Sequence, residues 1–205
     1  MKRHSNRDAG CLFGLLLLTT ALFAQPAVPP LGAGYVETGR YINSFFGFAL
    51  KFPSEMRVNQ FGIARPDLGN TRFLFGAQTL HEPLSVLMLS AEPSNRNSSD
   101  EVREGAGSKL HATKRIEIGG KEFWKSESQQ KPKGLGTMQQ YTYATRINGY
   151  ILTISLLCFD HDLCTLAARD IEEITFFDPA KAEEVAGPQA YPFPPPSGPA
   201  ARSSR

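Results

Sequence analysis

The dipeptide Asn148-Gly149 constrains the fold more than any other feature of the sequence. It lies between two runs rich in aromatic and β-branched residues, 137–147 and 150–158. A two-residue type I′ turn favours Asn-Gly, because both of its central residues need a positive φ. We therefore predict a β-hairpin in which Ile147 lies opposite Tyr150.

Pairing outward from this turn divides the side chains of the hairpin between two faces. Tyr143 falls opposite Ile154 on a face that is apolar and aromatic. Thr142 falls opposite Ser155 on the other face, which is smaller and more polar. A slip of one residue would bury the wrong face, so the alternation also fixes the register.

A helix is predicted to follow the hairpin and to end near residue 177. Asp160 and Asp162 suit its first turn, where carboxylates cap backbone N–H groups and complement the helix dipole. Apolar residues then recur at helical spacing, at Leu163, Leu166, Ala167, Ile171 and Ile174. We expect this stripe to cover the aromatic face of the hairpin.

The rest of the domain is predicted to contribute further strands and one more helix. The capping box Ser98-Ser99-Asp100-Glu101 begins a helix of about three turns that reaches Leu110. A second hairpin spans 115–126 and turns at Gly119-Gly120, with Trp124 opposite Arg115. Strands are predicted at 46–52, 56–58, 71–77 and 84–91, the last of them buried on both faces.

Both ends of the chain have compositions that differ from the middle. Residues 1–24 have a basic start, an apolar run and a small-residue cleavage site, which is typical of a signal peptide. The alternative is an uncleaved anchor, although the run of 13 apolar residues from Cys11 to Phe23 is short for a membrane span. We interpret 25–40 as a Pro/Gly-rich linker, 41–178 as one domain, and 179–205 as a disordered Pro/Ala-rich tail.

The charge distribution argues against a nucleic-acid partner. Three of the 22 basic residues and one of the 20 acidic residues lie within the first 24 positions, which leaves 19 of each sign in the remainder. Binding to nucleic acid requires a basic surface, and a neutral remainder of mixed signs does not indicate one. Contact with a membrane is expected only through the N-terminal segment, if it stays uncleaved.

The domain resembles the PsbP-like family, on a pattern of aromatic strands and turns. The segments that carry the resemblance are 41–43, 46–53, the helix 98–110, the hairpin start 116–120, the hairpin 141–157 and the end 174–177. The resemblance implies an α+β fold, a central antiparallel sheet with helices on both faces in an α/β/α sandwich. It also implies a role in binding or assembly, and it assigns no functional residues to this chain.

Two cysteines, Cys158 and Cys164, remain after removal of the signal peptide. The exported compartment is oxidising, so these cysteines can form a disulfide. Cys158 ends the last strand on its core face, and Cys164 lies in the first turn of the helix. We predict a bond between them that contributes about 2 kcal/mol, with two small buried thiols as the alternative.

Two acidic features of the last helix are candidate functional sites. Asp160-His161-Asp162 has metal-ligand residue types, but three consecutive residues rarely converge on one ion, so we expect a capping turn. Asp170 falls within the apolar stripe, where a carboxylate is costly unless it is paired. It is an acid with a shifted pKa, an anchor for a tyrosine hydroxyl, or a residue at the edge of the stripe that reaches water.

The aromatic residues allow one ligand-binding hypothesis. Trp124, together with Arg115 and Tyr143, can form a ligand groove, and the alternative is that these residues belong to the core. The wider supply of aromatic residues would line the same kind of pocket, at Phe46, Phe48, Phe73, Phe75 and Tyr141.

No catalytic motif is present, so we expect neither an enzyme nor a cofactor. The function that the sequence favours is an exported, non-catalytic interaction or assembly module, periplasmic or extracellular, with a protein partner. The alternative is a carrier of a small apolar ligand in an aromatic-lined pocket.

Overall fold

The computed structural model describes residues 29–58, 70–82, 84–94, 99–107, 111–134 and 136–194. The predicted signal peptide, the predicted N-cap Ser98 and the predicted helix end at Leu110 lie outside this part of the chain. In chain order the described elements are β1 (Gly34–Glu37), β2 (Arg40–Asn43), β3 (Phe48–Lys51), β4 (Met56–Val58), β5 (Arg72–Thr79), β6 (Val86–Pro93), α1 (Ser99–Gly105), β7 (Thr113–Ile118), β8 (Lys121–Gln130), β9 (Met138–Ile147), β10 (Tyr150–Cys158), α2 (His161–Glu172), β11 (Thr175–Phe176), α3 (Ala182–Ala186) and β12 (Tyr191–Phe193).

The strands form two antiparallel sheets. One sheet has seven strands in the order β4-β5-β6-β10-β9-β8-β7, and the other has five in the order β11-β3-β2-β1-β12. The α+β class and the antiparallel pairing are as predicted. The five-stranded sheet is an addition to the single sheet that was expected.

The predicted central hairpin is confirmed. Strands β9 and β10 pair in the expected register, with Ile147 opposite Tyr150, Tyr143 opposite Ile154 and Thr142 opposite Ser155. At the turn, Asn148 has φ of 50° and Gly149 has φ of 79°, the positive values that a type I′ turn requires.

The main core lies between the two sheets and is largely aromatic. Tyr41 of β2 stacks on Phe75 of β5 at 4.3 Å between ring centroids, which joins one sheet to the other. Helix α2 closes the same core with its buried Cys164, Ala167, Ala168 and Ile171. The prediction that this helix covers the aromatic face of the hairpin is therefore confirmed.

Helix α1 packs on the opposite face of the seven-stranded sheet. Val102 and Ala106 form a smaller cluster with Ala144 of β9 and Ile151 of β10. Helices thus cover both faces of this sheet, as the resemblance implied. Helix α1 spans only Ser99–Gly105, and Gly107 follows with φ of 83°, so it is shorter than the three turns predicted.

The structure corrects the predicted boundaries of the domain. Strand β1 lies within the predicted linker 25–40, and α3 and β12 lie within the predicted disordered tail 179–205. β12 pairs with β1, placing Tyr191 opposite Val36 and Phe193 opposite Gly34. Both ends belong to the five-stranded sheet, so the fold extends at least from residue 34 to residue 193.

Strand β6 also differs from its prediction. Its side chains alternate between buried and partly buried along Val86–Ala91, so it is not buried on both faces. Leu87, Leu89 and Ala91 point to the core, and the other face carries Met88 and Ser90.

Among the described residues, no helix has both the length and the apolar composition needed to cross a bilayer.

Candidate functional site

A disulfide joins the end of β10 to the first turns of α2. Cys158 and Cys164 are bonded, with 5.8 Å between their Cα atoms, and both side chains are fully buried. The predicted disulfide is therefore present, and the alternative of two free thiols does not apply. The bond fixes where the acidic start of α2 lies relative to β10.

The start of α2 is the expected capping turn. The Asp160 Oδ1 atom accepts hydrogen bonds from the backbone N–H groups of Asp162 and Leu163, at 2.9 and 3.0 Å. The His161 ring is held by Gln139 of β9, whose Nε2 atom lies 2.8 Å from Nδ1. Within the described part of the chain, no three His, Cys, Asp or Glu side chains come together in a way that can hold a metal ion.

A cleft of about 440 Å³ opens beside this turn, and we call it the β5–β6 cleft. It is enclosed by three segments that are distant in sequence: the residue before β4, the connection between β5 and β6, and the first turns of α2. Its lining residues are Glu55, Thr79, Leu80, His81, Glu82, Ser85, Asp160, Asp162, Leu163 and Leu166. The cleft therefore combines carboxylates with leucines.

Hydrogen bonds hold the connection between β5 and β6 in place. The backbone N–H of Thr79 donates to the Ser85 carbonyl at 3.0 Å, and the backbone N–H of Ser85 donates to the Thr79 hydroxyl at 2.9 Å. The Thr79 hydroxyl in turn donates to the His81 carbonyl at 3.3 Å. This short bonded connection presents Leu80 at 64% exposure and Leu84 at 36% exposure to solvent.

A charged network that the sequence reasoning missed lies on the α2 side of the seven-stranded sheet. The side chain of Lys125 on β8 is only 9% exposed and pairs with Glu127 at 2.7 Å and with Glu172 of α2 at 2.8 Å. The Tyr143 hydroxyl donates to the same Glu172 oxygen at 3.1 Å. The network ties α2 to β8 and β9.

The pKa values in this network follow from its contacts. Burial lowers the pKa of Lys125, but the hydrogen bonds and charges of Glu127 and Glu172 outweigh that effect and raise it above its ordinary value. The hydrogen bond from Lys125 lowers the pKa of the Glu127 carboxyl. Burial, followed by the charge of Glu172, raises the pKa of Tyr143, so this phenol stays protonated.

The structure does not bring Trp124 and Arg115 together with Tyr143 in one groove. The Arg115 guanidinium does lie over the Trp124 ring, 4.8 Å from its centroid. Trp124 pairs with Ala144, however, whereas Tyr143 pairs with Lys125, so Trp124 and Tyr143 point to opposite faces of the sheet. Trp124 packs beside α1, and Tyr143 is buried in the main core.

Asp170 lies at the edge of the apolar stripe of α2, where it is half-buried. Desolvation by burial raises the pKa of Asp170, and the positive charge of Arg169 partly offsets this rise. Asp170 does not line the β5–β6 cleft. Asp170 therefore combines a raised pKa with a half-buried position, one feature from each of two predicted alternatives, the acid with a shifted pKa and the residue at the edge of the stripe.

Of the aromatic residues that the carrier hypothesis needs, Phe46, Phe48, Phe75 and Tyr143 are buried in the main core. Phe73 is only partly buried, and Trp124 lines a pocket of about 370 Å³ beside α1 that contains none of the other aromatic residues of the hypothesis. Phe46 stacks near Phe48, with centroids 6.4 Å apart, and Phe52 lies against Phe75 at 5.5 Å. A larger surface groove of about 880 Å³ is lined instead by prolines and small residues near the chain ends, with Tyr35, Phe45 and Phe193 as its aromatic residues.

Comparison by sequence finds no relative: no protein-family model and no curated protein matches the chain.

Comparison by structure finds folds of similar shape. A protein from Bacteroides thetaiotaomicron has a TM-score of 0.47 and 11% identity over 69% of this chain and 49% of its own, so the chain spans about half its length. LpqN, involved in cell envelope biogenesis of Mycobacterium tuberculosis, has a TM-score of 0.44 and 18% identity over 70% of this chain and 89% of its own. A cyanobacterial PsbP from Synechocystis has a TM-score of 0.46 and 11% identity over 76% of this chain and 99% of its own. Because the identities and TM-scores are low, no functional conclusion follows from these similarities.

Proposed function

We propose that this protein is an exported, non-catalytic interaction module that binds a protein partner at the β5–β6 cleft. The observation that carries the proposal is the pair Leu80 and Leu84, which the fold holds in solvent on a hydrogen-bonded connection. Exposed apolar side chains grouped at one place and rimmed by polar residues are typical of protein-binding surfaces. Thr79 and Ser85 are already fixed by hydrogen bonds to each other, so these two residues lose little conformational entropy when a partner binds.

Two features support export. Residues 1–24 have the pattern of a signal peptide. The Cys158–Cys164 disulfide is the kind of bond that persists in the periplasm or outside the cell rather than in a reducing cytoplasm. The partner is therefore expected in the envelope or the medium.

Site-specific photo-crosslinking in the producing cell tests the proposal. A benzophenone amino acid in place of Leu84 is expected to capture one defined protein in the exported fraction. The matched control places the same amino acid at Glu117, which is exposed on β7 at the opposite edge of the seven-stranded sheet. Capture at 84 but not at 117, followed by weaker binding of the purified partner to a Leu80→Ser/Leu84→Ser variant, supports the proposal.

Two outcomes of that experiment would overturn it. One is equal capture at positions 84 and 117, which would indicate contact without specificity. The other is recovery of a lipid or metabolite at position 84 with no protein, which would point to the carrier hypothesis.

A further inference from the structure

We infer that the β5–β6 cleft binds a lysine or arginine side chain on a segment of the protein partner. This inference rests on the proposed function and names the chemistry of its ligand. Four carboxylates line it, those of Glu55, Glu82, Asp160 and Asp162, and no lysine or arginine is among its lining residues.

These carboxylates differ from many others on the described surface. Elsewhere, acidic side chains meet basic ones, as Glu37 meets Arg40 at 2.7 Å and Glu127 meets Lys125 at 2.7 Å. The Ser54 hydroxyl donates a hydrogen bond to Glu55, and Asp160 caps α2, but none of the four lining carboxylates forms an ion pair with a described residue. A concave site of one sign concentrates the field and attracts the opposite charge.

A buried hydroxyl provides a second and independent indication of a ligand. Ser85 lines the cleft and is fully buried, and its Oγ atom has no hydrogen-bond partner among the described residues. Buried polar groups in native proteins are nearly always paired, so the Ser85 hydroxyl is available for a hydrogen bond with a group that enters the cleft. The Ser85 hydroxyl and the carboxylates can all accept hydrogen bonds, which ammonium and guanidinium groups donate.

The shape of the cleft favours a long basic side chain over a bare cation. The carboxylates do not converge in a metal-binding arrangement among the described residues. The lining also includes Leu80, Leu163 and Leu166, against which the methylene stem of a lysine or arginine can pack. The exposed Leu84 next to the cleft then offers an apolar contact to the residues that flank the basic one in the partner.

The test uses the purified mature protein and a synthetic probe. The probe is a fluorescein-labelled peptide, Gly-Leu-Arg-Leu-Gly, with a matched peptide in which citrulline replaces arginine. Fluorescence anisotropy is expected to show binding of the arginine peptide, at least about fivefold weaker binding of the citrulline peptide, and weaker binding at high salt.

Two charge-matched variants locate the binding. Glu82→Gln/Asp162→Asn removes two cleft carboxylates and leaves the Asp160 cap intact. It is expected to weaken binding of the arginine peptide by about tenfold or more, since each removed charge costs a few-fold. Glu117→Gln/Glu184→Gln removes two exposed carboxylates outside the cleft and is expected to change binding less than about twofold.

A third variant tests the hydroxyl. Ser85→Ala is expected to weaken binding of the arginine peptide. The melting temperature of this variant is expected to stay unchanged or to rise, because the hydroxyl has no partner to lose. A clear fall in stability would contradict its unpaired state.

Three results would overturn the inference: equal binding of the arginine and citrulline peptides, equal losses in the two charge variants, or binding of free spermidine at the cleft without binding of the peptide. A crosslinked partner whose contact segment lacks lysine and arginine would also overturn it while leaving the proposed function intact. Failure of the crosslinking itself would instead contradict the proposed function.

Discussion

At the scale of single residues, Lys125 shows how a charge becomes part of a core. It lies two residues after Phe123 on β8, and Phe123 is fully buried, so the two-residue period of a strand places Lys125 on the same inward face. A lysine at such a position needs partners for its ammonium group. Glu127 and Glu172 supply them, and the rings of Tyr141 and Tyr143 lie 5.1 and 5.3 Å from the ammonium nitrogen.

Replacing Lys125 is expected to destabilise the fold moderately. In Lys125→Met the aliphatic packing is kept, but Glu172 and Tyr143 lose their cationic partner at a site that is largely buried. We expect the free energy of unfolding to fall by about 1–2 kcal/mol, measured by urea denaturation. The control is Lys114→Met, since Lys114 pairs with the same Glu127 at 3.5 Å but is exposed, and a loss below about 0.5 kcal/mol is expected there.

The effect of Lys125→Met should depend on pH in a defined direction. The pKa of Lys125 is raised in the folded state, so its stabilisation is complete below the unfolded pKa and is lost as pH rises through the folded value. The pKa of Glu127 is lowered, so its contribution is lost as pH falls through the folded value. The difference between wild type and variant should therefore be largest near neutrality and shrink below about pH 4 and above about pH 10. A difference that is constant across this range would contradict the ionic origin.

The sequence predicts the register of β10 against β9 but not the register of β8 against β9. The register of β9 and β10 followed from the Asn148-Gly149 turn, so every predicted pair in that hairpin is correct. The register of β8 against β9 depends on the longer connection 131–137, which has no diagnostic turn. Without that register, nothing in the sequence showed that Trp124 and Tyr143 point to opposite faces.

At the scale of elements, the ends of the chain contribute two strands and a helix that the amino-acid composition did not predict. Strands β1 and β12 have four and three residues, and they pair across more than a hundred positions of sequence. Pairing at such a distance leaves no local pattern, and the prolines around β12 suggested a tail. Phe193 nevertheless lies buried against Tyr41 and Phe75, with centroids 5.6 Å from each ring.

Removal of this C-terminal segment is expected to destabilise the protein. Truncation after Asp178 deletes α3 and β12 and exposes Ile42 and Ala49, on which Ala182 and Ala186 pack. In the full chain, Phe193→Ala is expected to cost about 3 kcal/mol and to lower the melting temperature by roughly 10 °C.

A second truncation serves as the control for the C-terminal segment. Ending the chain after Pro194 keeps α3 and β12, and the Pro-, Ser- and Gly-rich composition of the removed residues predicts an unchanged melting temperature. If truncation after Asp178 also left the melting temperature unchanged in calorimetry, the pairing of β12 with β1 would not contribute to stability.

At the scale of the whole molecule, α2 connects the two sheets. Its start is bonded to β10 of the seven-stranded sheet, and its end runs into β11, which pairs with β3 of the five-stranded sheet. The carbonyl of Gly47 accepts a hydrogen bond from the N–H of Phe177 at 2.8 Å. Gly47 has φ of 66° and no room for a Cβ, so this position requires glycine.

The sequence indicated the hairpins, α2 and the α+β class, because these depend on local pattern. It did not indicate the five-stranded sheet or the β5–β6 cleft, because both are assembled from distant segments.

The disulfide should therefore stabilise the molecule as a unit. It closes a loop with a sequence separation of 6, so the loop-entropy model gives a contribution of about 2 kcal/mol. Adding a reductant during urea unfolding is expected to lower the free energy of unfolding of the wild-type protein by that amount, in a single transition. The control is Cys158→Ala/Cys164→Ala, on which reductant should have no effect, so that the comparison separates the cross-link from the loss of buried volume.

Alkylation of two thiols in unreduced, denatured protein would show that the bond is absent. A separate early transition in the reduced protein would show instead that α2 detaches without the rest of the fold, contrary to its role in joining the two sheets.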